Sequence, residues 1–186
     1  MTLEQQLAKL AELGFKLNDG ITIDDILYSF GRAEYEEQPF DLILFVLGIE
    51  VERAPWGRWI CSRVWNFDTE CINSTGDYVR IIERLCQVAG KPNHLKNVSD
   101  FVDIEADKAW VKYKVDNTER SWDIEVNDDW ADTLTLNYIM EDIEDNGCHF
   151  YFKDNGQAMV LFYLNTQIAM ELNRLSNNAL KPVLVT

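Results

Sequence analysis

Basic residues are scarce in this sequence. Lys and Arg together number 17 against 32 Asp and Glu, and the formal net charge is −15. Nucleic acids and anionic membranes are bound through Lys and Arg that neutralise phosphate, so this balance argues against direct binding of either. It favours a basic protein partner, because an acidic surface speeds the approach of such a partner. Ordinary solubility is the competing explanation of the acidity.

Long apolar runs are also missing. The longest, residues 42–49, is far shorter than the ~20 residues that a membrane helix requires. Residues 1–6 contain neither the basic region nor the apolar region of a signal peptide. The four cysteines form no C-x-x-C pair and fit no zinc module, so we expect buried free thiols in a reducing compartment. These features predict a cytoplasmic protein.

Motifs for catalysis and for cofactor binding are absent as well. The two histidines are His94, in a polar loop, and His149, among aromatic residues of a predicted strand. No G-x-S-x-G, G-x-G-x-x-G or Walker pattern occurs. The sequence therefore predicts no cofactor and no catalytic residues.

Carboxylate chemistry leaves two alternatives open. Glu125, Asp128, Asp129 and Asp132 could supply oxygen ligands to Ca²⁺ or Mg²⁺, although their spacing is not that of an EF-hand loop. A hydrolase would need one carboxylate beside an apolar wall, as Asp123 and Asp129 could be beside Trp122 and Trp130. The competing explanation is a solvated acidic surface.

What is present predicts one α+β domain over residues 1–186. Residues 1–92 read as mainly helical, with helices over 2–13, from Thr22, over 40–47 and over 77–88. The segment 40–47 is apolar nearly all round, so a central strand is its alternative. This helical half is expected to pack against an antiparallel sheet formed by residues 100–186.

That second half alternates apolar and polar residues, the pattern of strands with one buried face. We predict a three-stranded meander near residues 102–126, a helix over 132–145 capped by Asp132, a hairpin about the turn 154–156, a helix over 166–175 and a short edge strand over 182–185. Across the second hairpin of the meander we expect Lys112 and Lys114 to lie opposite Asp123 and Glu125.

Residues 119–145 concentrate the acidity: ten are Asp or Glu and one, Arg120, is basic. The predicted helix ends in Glu141, Asp142, Glu144 and Asp145, the unfavourable sign for a helix C-terminus. Exposed aromatics surrounded by charge are typical of protein interfaces. The predicted partner-binding residues are therefore Asp123, Glu125, Asp128, Asp129, Trp130, Asp132 and, in a separate turn, Trp56. As an alternative, the Trp130 ring packs under Leu136 as a hydrophobic staple.

Two segments, 64–79 with the run VWNFDTECI and 121–130 with the run SWDIEVNDDW, resemble a family of acidic bacterial proteins without an assigned activity. The resemblance covers about residues 1–145. In size, acidity and α+β composition the chain is also similar to immunity proteins of polymorphic toxin and contact-dependent growth inhibition systems.

These resemblances imply a non-enzymatic immunity protein that neutralises a basic toxin domain, such as a nuclease. Its carboxylates would mimic the phosphates that the toxin binds. The alternatives are an enzyme that uses a metal or carboxylates, and a DNA-mimicking inhibitor of a nucleic-acid-binding protein.

Overall fold

A computed structural model describes residues 1–145 and 147–183 and shows an α+β protein. The helices are α1 Leu3–Glu12, α2 Ile23–Ile26, α3 Arg32–Glu37, α4 Leu42–Val46, α5 Asp77–Val88, α6 Thr133–Ile143 and α7 Thr166–Leu175. The strands are β1 Val64–Asp68, β2 Lys96–Asp103, β3 Lys108–Val115, β4 Thr118–Ile124, β5 Cys148–Asn155, β6 Ala158–Asn165 and β7 Leu180–Pro182. No helix within these ranges has the length and apolarity needed to span a membrane.

The strands form two antiparallel sheets. The predicted meander is the three-stranded sheet β2-β3-β4, and the predicted hairpin β5-β6 lies inside a four-stranded sheet of order β1-β6-β5-β7. The strand β1 comes from the helical half of the chain and pairs with β6. The two halves are therefore joined through main-chain hydrogen bonds as well as through side-chain packing.

Strand β6 lies between two hydrophobic cores. Its residues Val160 to Leu164 are all buried, and successive side chains of a strand point to opposite faces. Val160, Phe162 and Leu164 pack with α1, α4 and α7, whereas Leu161 and Tyr163 pack with α5, α6 and the meander. The four-stranded sheet is thus the middle layer of the molecule.

Local sequence explains where the main helices begin. Thr2 with Gln5, and Thr22 with Asp25, form capping boxes in which each side chain bonds the backbone N–H of the other. Helix α5 is capped across the fold, because the Asp100 carboxylate of β2 accepts from the backbone N–H of Gly76 and of Tyr78. The two capping boxes fix α1 and α2 relative to the chain before them, and the Asp100 contacts fix α5 relative to β2.

Two glycines meet specific requirements. Gly76 has a φ of 104°, a conformation that L-residues with side chains rarely adopt. Gly48 lets the chain after α4 approach β1, since a Cβ built there would stand 2.5 Å from the backbone nitrogen of Asn66. That approach places α4 against the four-stranded sheet.

The predicted fold class is confirmed, with a helical first half and a strand-rich second half. The segment 42–46 is a helix, so its alternative as a central strand is wrong. Of the predicted edge strand, Pro182 belongs to β7, whereas residues 184 and 185 lie outside the described residues.

The predicted charge pairing in the meander is wrong. Lys112 lies opposite Ser121 and Lys114 lies opposite Glu119. Asp116 and Asn117 both have positive φ and form the two-residue turn of this hairpin, with Val115 paired to Thr118. The position and length of the turn fix every cross-strand pair that follows it.

Candidate functional site

Asn127 to Trp130 form a tight turn that displays acidic side chains. The Trp130 N–H donates to the Asn127 carbonyl at 3.0 Å. Asp128, inside the turn, has a φ of 53°, a conformation that Asp and Asn tolerate better than most residues. The Asp128 side chain is exposed and that of Asp129 is half-buried. The turn therefore displays two carboxylates, on Asp128 and Asp129, directly before Trp130 in the chain.

A second acidic segment pairs with this turn. The Ile72 N–H donates to the Asp129 carbonyl at 2.8 Å, and the Ala131 N–H donates to the Thr69 carbonyl at 2.7 Å. Glu70 thereby lies directly opposite Trp130 in an antiparallel bridge. We call Asp68, Glu70, Asp128, Asp129 and Trp130 the acidic ladder. Asp68 and Glu70 were not predicted from the sequence. They lie about sixty positions before Trp130, and only the tertiary fold brings the two segments together.

The charges of the acidic ladder are not neutralised by ion pairs within the described residues. Its contact with a neutral side chain is through Gln157, whose amide donates to Asp68 at 3.3 Å and to Glu70. Burial, and then the charges of Asp68 and Asp129, raise the pKa of the nearby Cys71 thiol to about 11. The two segments therefore contribute to one negative field.

Trp130 is the apolar member of the ladder. Its side chain is 39% exposed, so it is not fully covered by the protein around it. Asp132, two residues on, is the N-cap of α6 as predicted: one oxygen accepts from the Leu134 N–H at 3.0 Å and the other from the Thr135 hydroxyl at 2.6 Å. Since both of its oxygens are engaged, Asp132 is left out of the ladder.

Asp123 and Glu125 lie at the end of the meander, two residues apart on its outer face. Asp123 pairs in register with Trp110, which stacks with Phe101 at a ring-centroid distance of 6.2 Å. Phe101 and Trp110 were not identified from sequence, although their strands alternate as predicted. Trp122 points to the opposite face and stacks on Tyr138 at 4.7 Å. Trp122 therefore provides no apolar wall for Asp123, contrary to the hydrolase alternative.

Trp56 is the most exposed large apolar side chain among the described residues, at 72%. Its loop is held to the helical half, because Arg58 donates both to the Pro55 carbonyl at 2.9 Å and to Asp25 of α2 at 3.2 Å. The predicted exposure of Trp56 is confirmed. The Trp56 loop is bonded to α2, whereas Trp130 lies in the turn before α6.

The acidic residues at the end of α6 are largely engaged in the fold. Asp142 accepts from Arg120 at 3.0 and 3.1 Å and from the Tyr113 hydroxyl at 2.8 Å. Asp145 pairs with Lys91 at 2.8 Å, and Glu144 accepts from the Phe150 N–H at 2.7 Å. Glu141 is exposed, whereas the other three acids are held by contacts within the fold. They are stabilised by partners distant in sequence, which no helix-end rule reveals.

Each histidine ring has a polar contact near the end of α6. The His94 Nε2 lies 3.2 Å from the Asp142 carbonyl oxygen, and the exposed His149 Nδ1 lies 2.7 Å from a Glu144 carboxylate oxygen. Over residues 1–145 and 147–183, no group of three or more His, Cys, Asp or Glu side chains is placed to hold a metal ion. The carboxylates proposed as metal ligands are thus divided between a strand end, a turn and a helix cap.

Comparison with family models, with curated proteins and with solved structures finds no match to this chain. The family resemblance and the immunity role stay predictions from the sequence.

Proposed function

We propose that this chain is a binding protein that engages a basic protein partner through the acidic ladder. The observation that supports this function is the pairing of two acidic segments around the half-exposed ring of Trp130. Concentrated like charge destabilises a folded protein through self-repulsion, so folding alone does not explain it. Exposed aromatic anchors surrounded by charge are characteristic of interface hot spots.

The specific form of the proposal is an immunity protein that neutralises a basic toxin domain. Asp68, Glu70, Asp128 and Asp129 would bind Lys and Arg side chains that the toxin uses to hold phosphate. Trp130 would fill an apolar pocket at the centre of the contact. Asp123 and Glu125, beside Trp110, would extend the negative field and accelerate the encounter.

The test is co-expression and pull-down with the product of the adjacent upstream gene, followed by binding kinetics. The variant pair Glu70→Gln and Asp128→Asn removes two charges, and Asn tolerates the φ of 53° at position 128. We expect an association rate about tenfold lower at low salt, with the difference shrinking as salt rises. Trp130→Ala should weaken binding by about 2 kcal/mol or more, which is roughly 30-fold.

The matched control is the pair Glu105→Gln and Asp107→Asn in the turn between β2 and β3. Asp107 also has a φ of 53°, and both residues are exposed, so the control makes the same chemical changes outside the ladder. Equal effects of the two double variants would show that only net charge matters. An unchanged association rate in the ladder variant would refute its role, and a neighbouring gene product that does not bind would refute the toxin assignment.

A further inference from the structure

A cavity of about 540 Å³ lies between α6 and one face of the four-stranded sheet. Its floor follows from strand register: Leu161 pairs with Phe152, and Phe152 pairs with Lys181 on β7. Phe67 of β1 pairs with Met159 of β6 in the adjoining row. All five of these side chains line the cavity. The floor therefore extends across all four strands.

The roof is one face of α6. Thr133, Leu136, Asn137 and Met140 line the cavity and occupy positions i, i+3, i+4 and i+7, which lie on one helical face. Leu85 of α5 contributes a further apolar side chain. The interior between roof and floor is thus formed mainly by leucine, methionine and phenylalanine. A volume of this size falls within the ~300–1,000 Å³ that is usual for small-molecule sites.

Three polar side chains interrupt this apolar lining: Thr133, Asn137 and Lys181. Thr133 and Lys181 are exposed and Asn137 is half-buried, which places them at the opening. Across residues 1–145 and 147–183 none of the side-chain hydrogen bonds or ion pairs involves them. An ammonium group, an amide and a hydroxyl can all donate hydrogen bonds to one carboxylate.

We propose that this cavity binds a small amphipathic carboxylate, with its apolar chain between α6 and the sheet and its carboxylate at Lys181. The assignment depends on the combination of an apolar interior with a few polar side chains at its opening, which is the usual construction of a small-molecule site. The cavity is lined by none of the acidic-ladder residues. This site therefore differs from the one proposed for the protein partner.

Isothermal titration calorimetry with decanoate, below the concentration at which it self-associates, tests the proposal. We expect saturable binding of one decanoate per chain. Lys181→Gln should weaken decanoate binding about tenfold, because it removes the charge that pairs with the carboxylate. Decanol, which has the same chain without the charge, should bind the wild type and Lys181→Gln within about twofold of each other, since its hydroxyl forms no ion pair.

Two further variants separate binding in the cavity from binding elsewhere. Asn137→Phe places a ring in the opening and should abolish binding of both probes with an unchanged melting temperature. Asn137→Asp introduces a like charge and should weaken decanoate binding without affecting decanol. Absence of saturable decanoate binding to the full chain, or retention of it in a folded Asn137→Phe variant, would overturn the proposal. Decanoate binding that appears in a variant ending at Val183 but not in the full chain would also overturn the proposal.

Discussion

Replacing Phe162 with Ala should destabilise both hydrophobic cores at once. The Phe162 side chain is fully buried in β6 and makes an edge-to-face contact with Phe15, with ring centroids 5.8 Å apart. Removing a buried phenyl ring costs about 4 kcal/mol, from lost transfer free energy and from the cavity left behind. Phe162 packs in the core with α1, α4 and α7. Because β6 belongs to both cores, the substitution should also destabilise the core formed with α5, α6 and the meander.

Urea unfolding followed by tryptophan fluorescence measures the loss. With a denaturant dependence of about 2 kcal/mol per molar, the midpoint should fall by about 2 M. Met170→Ala is the control, because Met170 is 69% exposed on α7 and its loss should shift the midpoint by little.

Hydrogen exchange then tests whether the cores are coupled. Amides of α5 and β3, which belong to the other core, should lose protection to the same extent as amides of α4. Retained protection in α5 and β3 with loss only in α4 would refute the shared-layer description. It would show that the chain unfolds as two units.

Two further predictions concern titratable groups. The Thr22 backbone N–H, together with two arginine side chains, holds the pKa of the Asp25 carboxylate well below its usual range. Asp25→Ala should therefore cost about 2 kcal/mol at pH 7, roughly half from the lost helix cap and half from partly exposed ion pairs. A depressed pKa stabilises the fold above the unfolded value of about 4, so the difference from wild type should shrink as pH falls below that value. Asp24→Ala, an exposed neighbour in the same turn, is the control, and a pH-independent difference would contradict the ion-pair explanation. Separately, the Cys71 thiol, with its pKa raised to about 11, should react slowly with iodoacetamide at pH 8. Asp68→Asn should accelerate that reaction, and an unchanged rate would show that the Asp68 charge does not act on Cys71.

Elements with strong local signals were predictable. Helix α5 spans 77–88 and helix α7 spans 166–175, as apolar spacing and turn residues indicated. The caps at Thr2, Thr22 and Asp132 depend on contacts within three residues, so a short window of sequence contains all the relevant groups. Strand alternation likewise predicted the meander.

Register and long-range charge pairing were not predictable in the same way. The two-residue turn at Asp116 and Asn117 places Glu119, and neither Asp123 nor Glu125, opposite Lys114. Sequence alone does not pair the carboxylates of Asp142 and Asp145, because their partners, Arg120 and Lys91, come from other elements. Backbone pairing at such distances depends on the whole fold.

By itself the sequence determined the α+β class, the acidic character and the residues of the predicted turn around Trp130, because composition and periodicity are local properties. Only the tertiary structure decided which carboxylates remain without a basic partner. The fold pairs the segment of Asp68 and Glu70 with the segment of Asp128 and Asp129. It also gives Asp142, Glu144 and Asp145 partners within the protein. It also formed the cavity, because a helix face and a sheet face enclose space only when they are packed together.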